Sequence, residues 1–150
     1  MNRICLALAR LASAMWVGAA VLFVVTSITE QIHPSIDVAT KDTLALIRFP
    51  WYYGMGATLL AISAVASGCL ARRDRWYAIA ATLLAAALLL MAIDYVSIYM
   101  PLQEVMRSPE TSRGDSFQRL HTWSEWINSA GLMLATAGAI LLCATNRVSK

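Results

Sequence analysis

The chain reads as an all-α protein, a four-helix transmembrane bundle with a short interfacial helix between its first and second spans. Three observations carry that reading. Hydrophobic residues make up 59% of the 150 residues and charged ones only 14%, against roughly 45–50% and 25% in soluble domains. The apolar residues gather in four blocks, each near the length of about 20 residues that crosses roughly 30 Å of hydrocarbon. Nearly all the charge falls between those blocks. A single integral-membrane domain, residues 1–150, accounts for the whole sequence.

The first block follows a short basic start carrying Arg3 and Arg10. A secretory leader shares such a start and a small triplet like Ala12-Ser13-Ala14. Here, however, the apolar run Leu11–Ile28 comes after the triplet, and its 18 residues exceed the roughly 7–15 of a leader core. A retained span over about 11–29 is expected. Glu30 to Arg48 is polar and interrupted by Pro34, after which Ile36, Ala39, Thr43, Leu44 and Ile47 recur at helical spacing. That pattern predicts a short amphipathic helix lying on the membrane.

Phe49-Pro50-Trp51-Tyr52-Tyr53 opens the second span, 51–71, with rings suited to the headgroup layer. Arg72-Arg73-Asp74-Arg75 makes a tight basic turn into the third span, 76–100, which Pro101 is expected to end. The stretch Leu102 to Asp115 holds Pro109 and Gly114 and reads as an irregular loop. Asp115 followed by Gln118, or Ser116 followed by Arg119, starts the fourth helix, whose span covers 120–145. From its start to Thr145 is about 30 residues, or roughly 45 Å. The first turns must therefore stand in the headgroup region, with Trp123 and Trp126 as anchors.

One seam of that last helix is informative. Phe117, His121, Ser124, Asn128, Gly131, Ala135, Gly138 and Leu142 recur at steps of three and four and share one face. The lower strip is small, which lets another helix approach closely where water cannot drive association. The polar residues above it then face a neighbouring helix.

Basic residues set the expected orientation. Of the 12 Lys and Arg, Arg3, Arg10, Arg72, Arg73, Arg75, Arg147 and Lys150 fall on one side of a four-span chain. Lys41, Arg48, Arg107, Arg113 and Arg119 fall on the other, in longer stretches diluted by acids. The positive-inside rule predicts both termini in the cytoplasm. Cys5, Cys69 and Cys143 then lie at cytoplasmic ends, where thiols stay reduced. They form no CxxC or Cys/His spacing, so no metal site is predicted. A formal charge of +3 on scattered residues excludes nucleic acid as a partner. The expected partners are the lipid bilayer and a second copy or another membrane protein.

Candidate chemistry is confined to two places. His121, Ser124, Glu125 and Asn128 lie within two turns. A His and a Glu four apart can reach one ion, or the Glu can orient the imidazole, but a metal site needs further ligands. The competing reading is a set of interhelical bonds that fix register. Asp94 is the ionisable residue well inside the third span, where a carboxylate is costly and faces the bundle interior. It reads either as a functional group or as a structural partner for a Tyr or Arg. His33 and His121 are the two histidines and fall near the same membrane face, which defines an alternative: a small membrane oxidoreductase or haem-binding protein. No nucleophile elbow, phosphate loop or zinc-protease motif is present, so a non-catalytic protein without a cofactor is favoured over an enzyme. Chain topology gathers Glu30, His33, Arg48, Tyr52, Asp94, Tyr95, Tyr99, Arg119, His121, Glu125 and Asn128 into one half of the bundle. The expectation is a polar pocket open to the non-cytoplasmic side, faced by His121 and Asn128 from the fourth helix and Asp94 from the third.

Phe117-Gln-Arg-Leu-His121-Thr-Trp-Ser124-Glu-Trp-Ile-Asn128 resembles the F-x-x-L-H-x-x-S-x-x-x-N signature of the transmembrane protein 205-like domain family. Trp16-Val-Gly18 and Phe49-Pro50-Trp51-Tyr52-Tyr53 are similar to that family's W-x-G and F-P-x-Y-[FY] stretches. The resemblance covers nearly the whole chain in order and length, and carries over His121, Ser124 and Asn128. Ser27 to Pro34 departs from the apolar, Pro-containing pattern of the family. The resemblance implies class and location, a small multi-span membrane protein, and no defined reaction; small-solute or metal-related transport or an accessory role is the functional expectation set beside it.

Overall fold

The computed structural model describes residues 2–107 and 115–145. Helices α1 (Asn2–Ile32), α2 (Val38–Leu70), α3 (Arg75–Asp94), α4 (Met100–Arg107) and α5 (Asp115–Ala144) follow in order, with a π-helical turn, Tyr95–Tyr99, joining α3 to α4. Four helical rods result, since α3, the π turn and α4 are continuous, and each is long and apolar enough to cross a membrane. The chain is an all-α four-helix bundle and a multi-pass membrane protein. Its helices form a ring in which α1 packs on α2, α2 on α3, α3 on α5, and α5 back on α1.

Two elements differ from the sequence reading. The amphipathic segment after Pro34 is helical but not a separate interfacial helix; it forms the first turns of α2, which runs unbroken through Pro50. Asp37 starts it, its Oδ1 accepting the Thr40 N–H at 2.7 Å, a side-chain cap on an otherwise unpaired donor. Arg48 and Glu30 then tie these turns to the end of α1 through a two-pronged ion pair, one prong Nη1–Oε1 at 2.7 Å. With the helix held on both sides of Pro50, the proline removes one N–H without breaking the rod. Pro101 likewise does not end the third span. Its ring would crowd the carbonyl four residues back, at Ser97, and that residue lies inside the π turn, where Met100 N–H donates to Tyr95 O. Five-residue bonds widen the turn and shift the register, so the helix passes the proline and continues to Arg107.

Small residues set the helix spacing. The Ala135 and Gly138 part of the α5 strip is buried against α3, where Ala80, Leu84 and Ala87 are themselves buried. A Cβ on Gly138 would stand 3.0 Å from Leu84 Cγ. On the other side of the bundle, a Cβ on Gly56 would stand 2.6 Å from both Trp16 Cη2 and Met91 Cε. The bare backbone of α2 thus lets an α1 indole and an α3 thioether meet over it. Near the terminal end, Ser63 of α2 donates to Ala9 O of α1 at 2.7 Å and links the two helices, while Ser13 of α1 donates to the same carbonyl at 2.8 Å. The free thiols of Cys5, Cys69 and Cys143 also lie at helix positions near that end.

Candidate functional site

Three helices, α2, α3 and α5, bring polar side chains together in an apolar setting. Asp94, the last residue of α3, is completely buried. Its carboxyl oxygen Oδ2 accepts two hydrogen bonds, one from the Tyr53 hydroxyl of α2 and one from Asn128 Nδ2 of α5 at 2.6 Å. Asn128 Oδ1 accepts from the Tyr52 hydroxyl at 3.1 Å, and Nδ2 also reaches Ser124 O and Oγ at 2.9 and 3.2 Å. Consecutive tyrosines of α2 therefore serve both ends of the Asp94–Asn128 pair. Oδ1 of Asp94 is buried and has no hydrogen-bond partner among the described residues.

Aromatic rings surround this centre. Tyr53 is in ring contact with Tyr95 and Tyr99 of the π turn, with centroids 5.0 and 5.1 Å away, and stacks on Phe49 at 6.1 Å. Tyr52 packs on Trp16 and Phe23 of α1 at 5.1 and 4.4 Å. Beneath it, between Trp16, Tyr52, Met91, Asn128 and Gly131, remains a cavity of about 10 Å³, the space of roughly one water. The site is thus closed. A separate shallow groove of about 230 Å³ opens between α1 and α2, lined by Ala19, Phe23, Arg48, Trp51, Tyr52 and Met55.

Of the residues singled out from sequence, Asp94 and Asn128 meet directly, and Ser124 supports Asn128. His121 and Glu125 do not join them. They pair with each other at 3.3 Å on the outer part of α5, with side chains 42% and 64% exposed, and Phe117 stacks on the imidazole at 6.3 Å. The expected open pocket faced by His121 is accordingly replaced by a closed centre without it. The reason lies in helix geometry: His121 sits two turns before Asn128, the residue of α5 that Asp94 of α3 and Tyr52 of α2 reach. His33 is exposed in the loop after α1, where its Nδ1 accepts the Ser35 N–H at 3.3 Å. No group of three or more His, Cys, Asp or Glu is placed to hold a metal among the described residues.

Sequence reasoning gathered Tyr52 into the half of the bundle that holds Asp94 and offered a nearby Tyr as the carboxyl's partner, but it did not single out Tyr53 and gave neither tyrosine a place in the site. Their signal was present, since a buried carboxylate needs donors and adjacent tyrosines at the start of a neighbouring span are the nearest available. The depressed pKa of Asp37 belongs to the cap of α2 and has no part in this site; backbone and side-chain hydrogen bonding from Thr40 lowers it. Compared with family models, with curated proteins and with solved structures, the chain gives no match in any of the three.

Proposed function

We propose that this chain is a small four-span membrane protein of the transmembrane protein 205-like type, with both termini in the cytoplasm, that binds a small solute at Asp94 and carries it, and that it is not an enzyme. The observation that supports this reading is the state of the Asp94 carboxyl. A tie that served only to hold helices in register would use up its polar atoms, because each one left unpaired in a dry interior costs several kcal/mol. Here both donors fall on Oδ2, and Oδ1 is left buried without a partner among the described residues. A carboxyl oxygen held ready in a bundle interior is what a binding site for a transported species requires. The residues around it supply hydroxyl and amide groups but no nucleophile with an adjacent base, so binding and not covalent chemistry is their use.

The test is thermal stabilisation of the detergent-purified protein by a panel of small cationic, neutral and anionic solutes, run beside Asp94→Asn. A ligand at one hundred times its Kd stabilises by about 2.7 kcal/mol. The expected result is a solute that raises the Tm of the wild type and not of the variant. An identical response of both proteins across the panel overturns the reading, as does a stoichiometric haem band in the purified protein. The topology is tested by labelling Arg73→Cys and Ser112→Cys from each side of sealed vesicles: the two must label from opposite sides, with Arg73→Cys cytoplasmic.

A further inference from the structure

We infer that the solute bound at Asp94 is a monovalent organic ammonium ion, and that it enters in exchange for a proton carried on Asp94 Oδ1. The inference rests on the solute-binding reading above and assigns the charge and chemical class of the ligand.

The argument begins with charge. Among the described residues no Lys, Arg or His forms an ion pair with Asp94. From α2 the titratable groups facing it are the hydroxyls of Tyr53 and Tyr52. The π turn adds Tyr95 and Tyr99, in ring contact with Tyr53. From α5 comes the neutral amide of Asn128, while His121 and Glu125 of that helix are paired together at its exposed part. No fixed cation therefore balances a bare carboxylate, and a bare charge in the hydrocarbon layer is expensive. The centre must hold a mobile positive species, either a proton or a cation.

The hydrogen bonds say which oxygen carries the proton. A protonated carboxyl has one carbonyl oxygen with two lone pairs and one hydroxyl. The two lone pairs match the two donors on Oδ2, from Tyr53 and Asn128, and the hydroxyl falls on Oδ1, the oxygen without a partner. The proton can leave Oδ1 without breaking either bond. Its departure exposes a carboxylate to whatever replaces it. An anion is repelled there, and a neutral solute leaves the charge uncompensated.

The surroundings favour an organic cation. The Tyr53 hydroxyl that binds the carboxyl belongs to a cluster of rings, Phe49, Tyr53, Tyr95 and Tyr99, that stack on or abut one another; faces freed when such rings part attract ammonium groups and stabilise no anion. A hard metal ion asks for six or more oxygen ligands, which this centre lacks. With only about 10 Å³ free beside Asn128, the closed conformation accommodates the proton-loaded form, and ammonium binding requires the rings to part. The exchange is balanced: the carboxyl and the ammonium ion give the carboxylate–ammonium pair and one released proton.

The experiment measures that proton. Methylammonium, trimethylammonium, tetramethylammonium and tetraethylammonium chlorides are added to the detergent-purified protein in weak buffer, with sodium chloride and sodium acetate as controls. Release approaching one proton per chain with at least one ammonium ion, absent with both controls and absent in Asp94→Asn, is expected. As a readout that needs no variant, dicyclohexylcarbodiimide should label wild-type Asp94, and the same ammonium ion should protect it. Labelling without protection, together with no proton release, overturns the exchange. If the solute panel instead yields a neutral or anionic ligand that depends on Asp94 and releases no proton, this inference falls while the solute-binding reading stands. If Asp94→Asn behaves as the wild type throughout, both fall.

Discussion

Replacing Asp94 separates its hydrogen-bonding role from its charge. In Asp94→Leu the Tyr53 hydroxyl loses its acceptor inside the bundle, whereas Asn128 Nδ2 keeps Ser124 O and Oγ. Stranding a buried donor costs about 1–3 kcal/mol, and the lost Asn128 bond adds roughly 0.6–1.7 kcal/mol on the scale of interhelical bonds in membranes. The expected penalty is therefore about 2–4 kcal/mol, a fall in Tm of roughly 4–16 °C for a chain of this size. Asp94→Asn has the same shape and keeps an amide oxygen for both donors. It should remain within about 1 kcal/mol of the wild type, since the bond geometry survives and no charge has to be accommodated. Thermal unfolding in a mild detergent, followed by tryptophan fluorescence, measures both. Equal losses in the two variants would show that carboxylate charge holds the bundle, and the argument from convergent donors on Oδ2 would be wrong. An unchanged Asp94→Leu would show that the network holds nothing.

Other perturbations read the packing and the caps. Gly138→Leu drives a branched side chain into Leu84, already 3.0 Å from the position of a first carbon, and should cost about 1–3 kcal/mol from overpacking; unchanged unfolding in detergent would mean that this strip faces lipid. Gly56→Ala should lower stability despite the better helix propensity of alanine, because the added carbon meets the ring of Trp16, itself buried; a gain in Tm would contradict the close approach of α1 to α2. The folded-state pKa of Asp37 is lowered from 3.8 by its bonds with Thr40, so its contribution is present above that unfolded value and is lost as pH falls through the folded one. Hydrogen exchange at Thr40 should accelerate over that acidic window in the wild type, while Asp37→Asn shows no such step.

The residue types and their spacing determined the class of the molecule. Four apolar blocks of membrane-spanning length leave little choice but helices, because every backbone polar group must be satisfied within its own segment. The small strip of α5 and the inward face of Asp94 followed from the same physics: Gly and Ala where helices touch, and a carboxyl turned away from lipid. What lay beyond the sequence was the pairing between helices. Tyr52 and Tyr53 are 41 or more positions from the groups they bond, at separations of 76 and 41 residues, and local periodicity carries no information at that range. The length of a helix through a proline was also undecided locally. Pro50 and Pro101 look like stops, yet the Glu30–Arg48 tie and the π turn carry the backbone past them. Tertiary structure alone divided the polar residues of α5 into a buried Asn128 and an outlying His121–Glu125 pair. The seam has one face, but only the height at which Asp94 of α3 and the Tyr52 hydroxyl of α2 reach it decides which of its polar residues become an interior site.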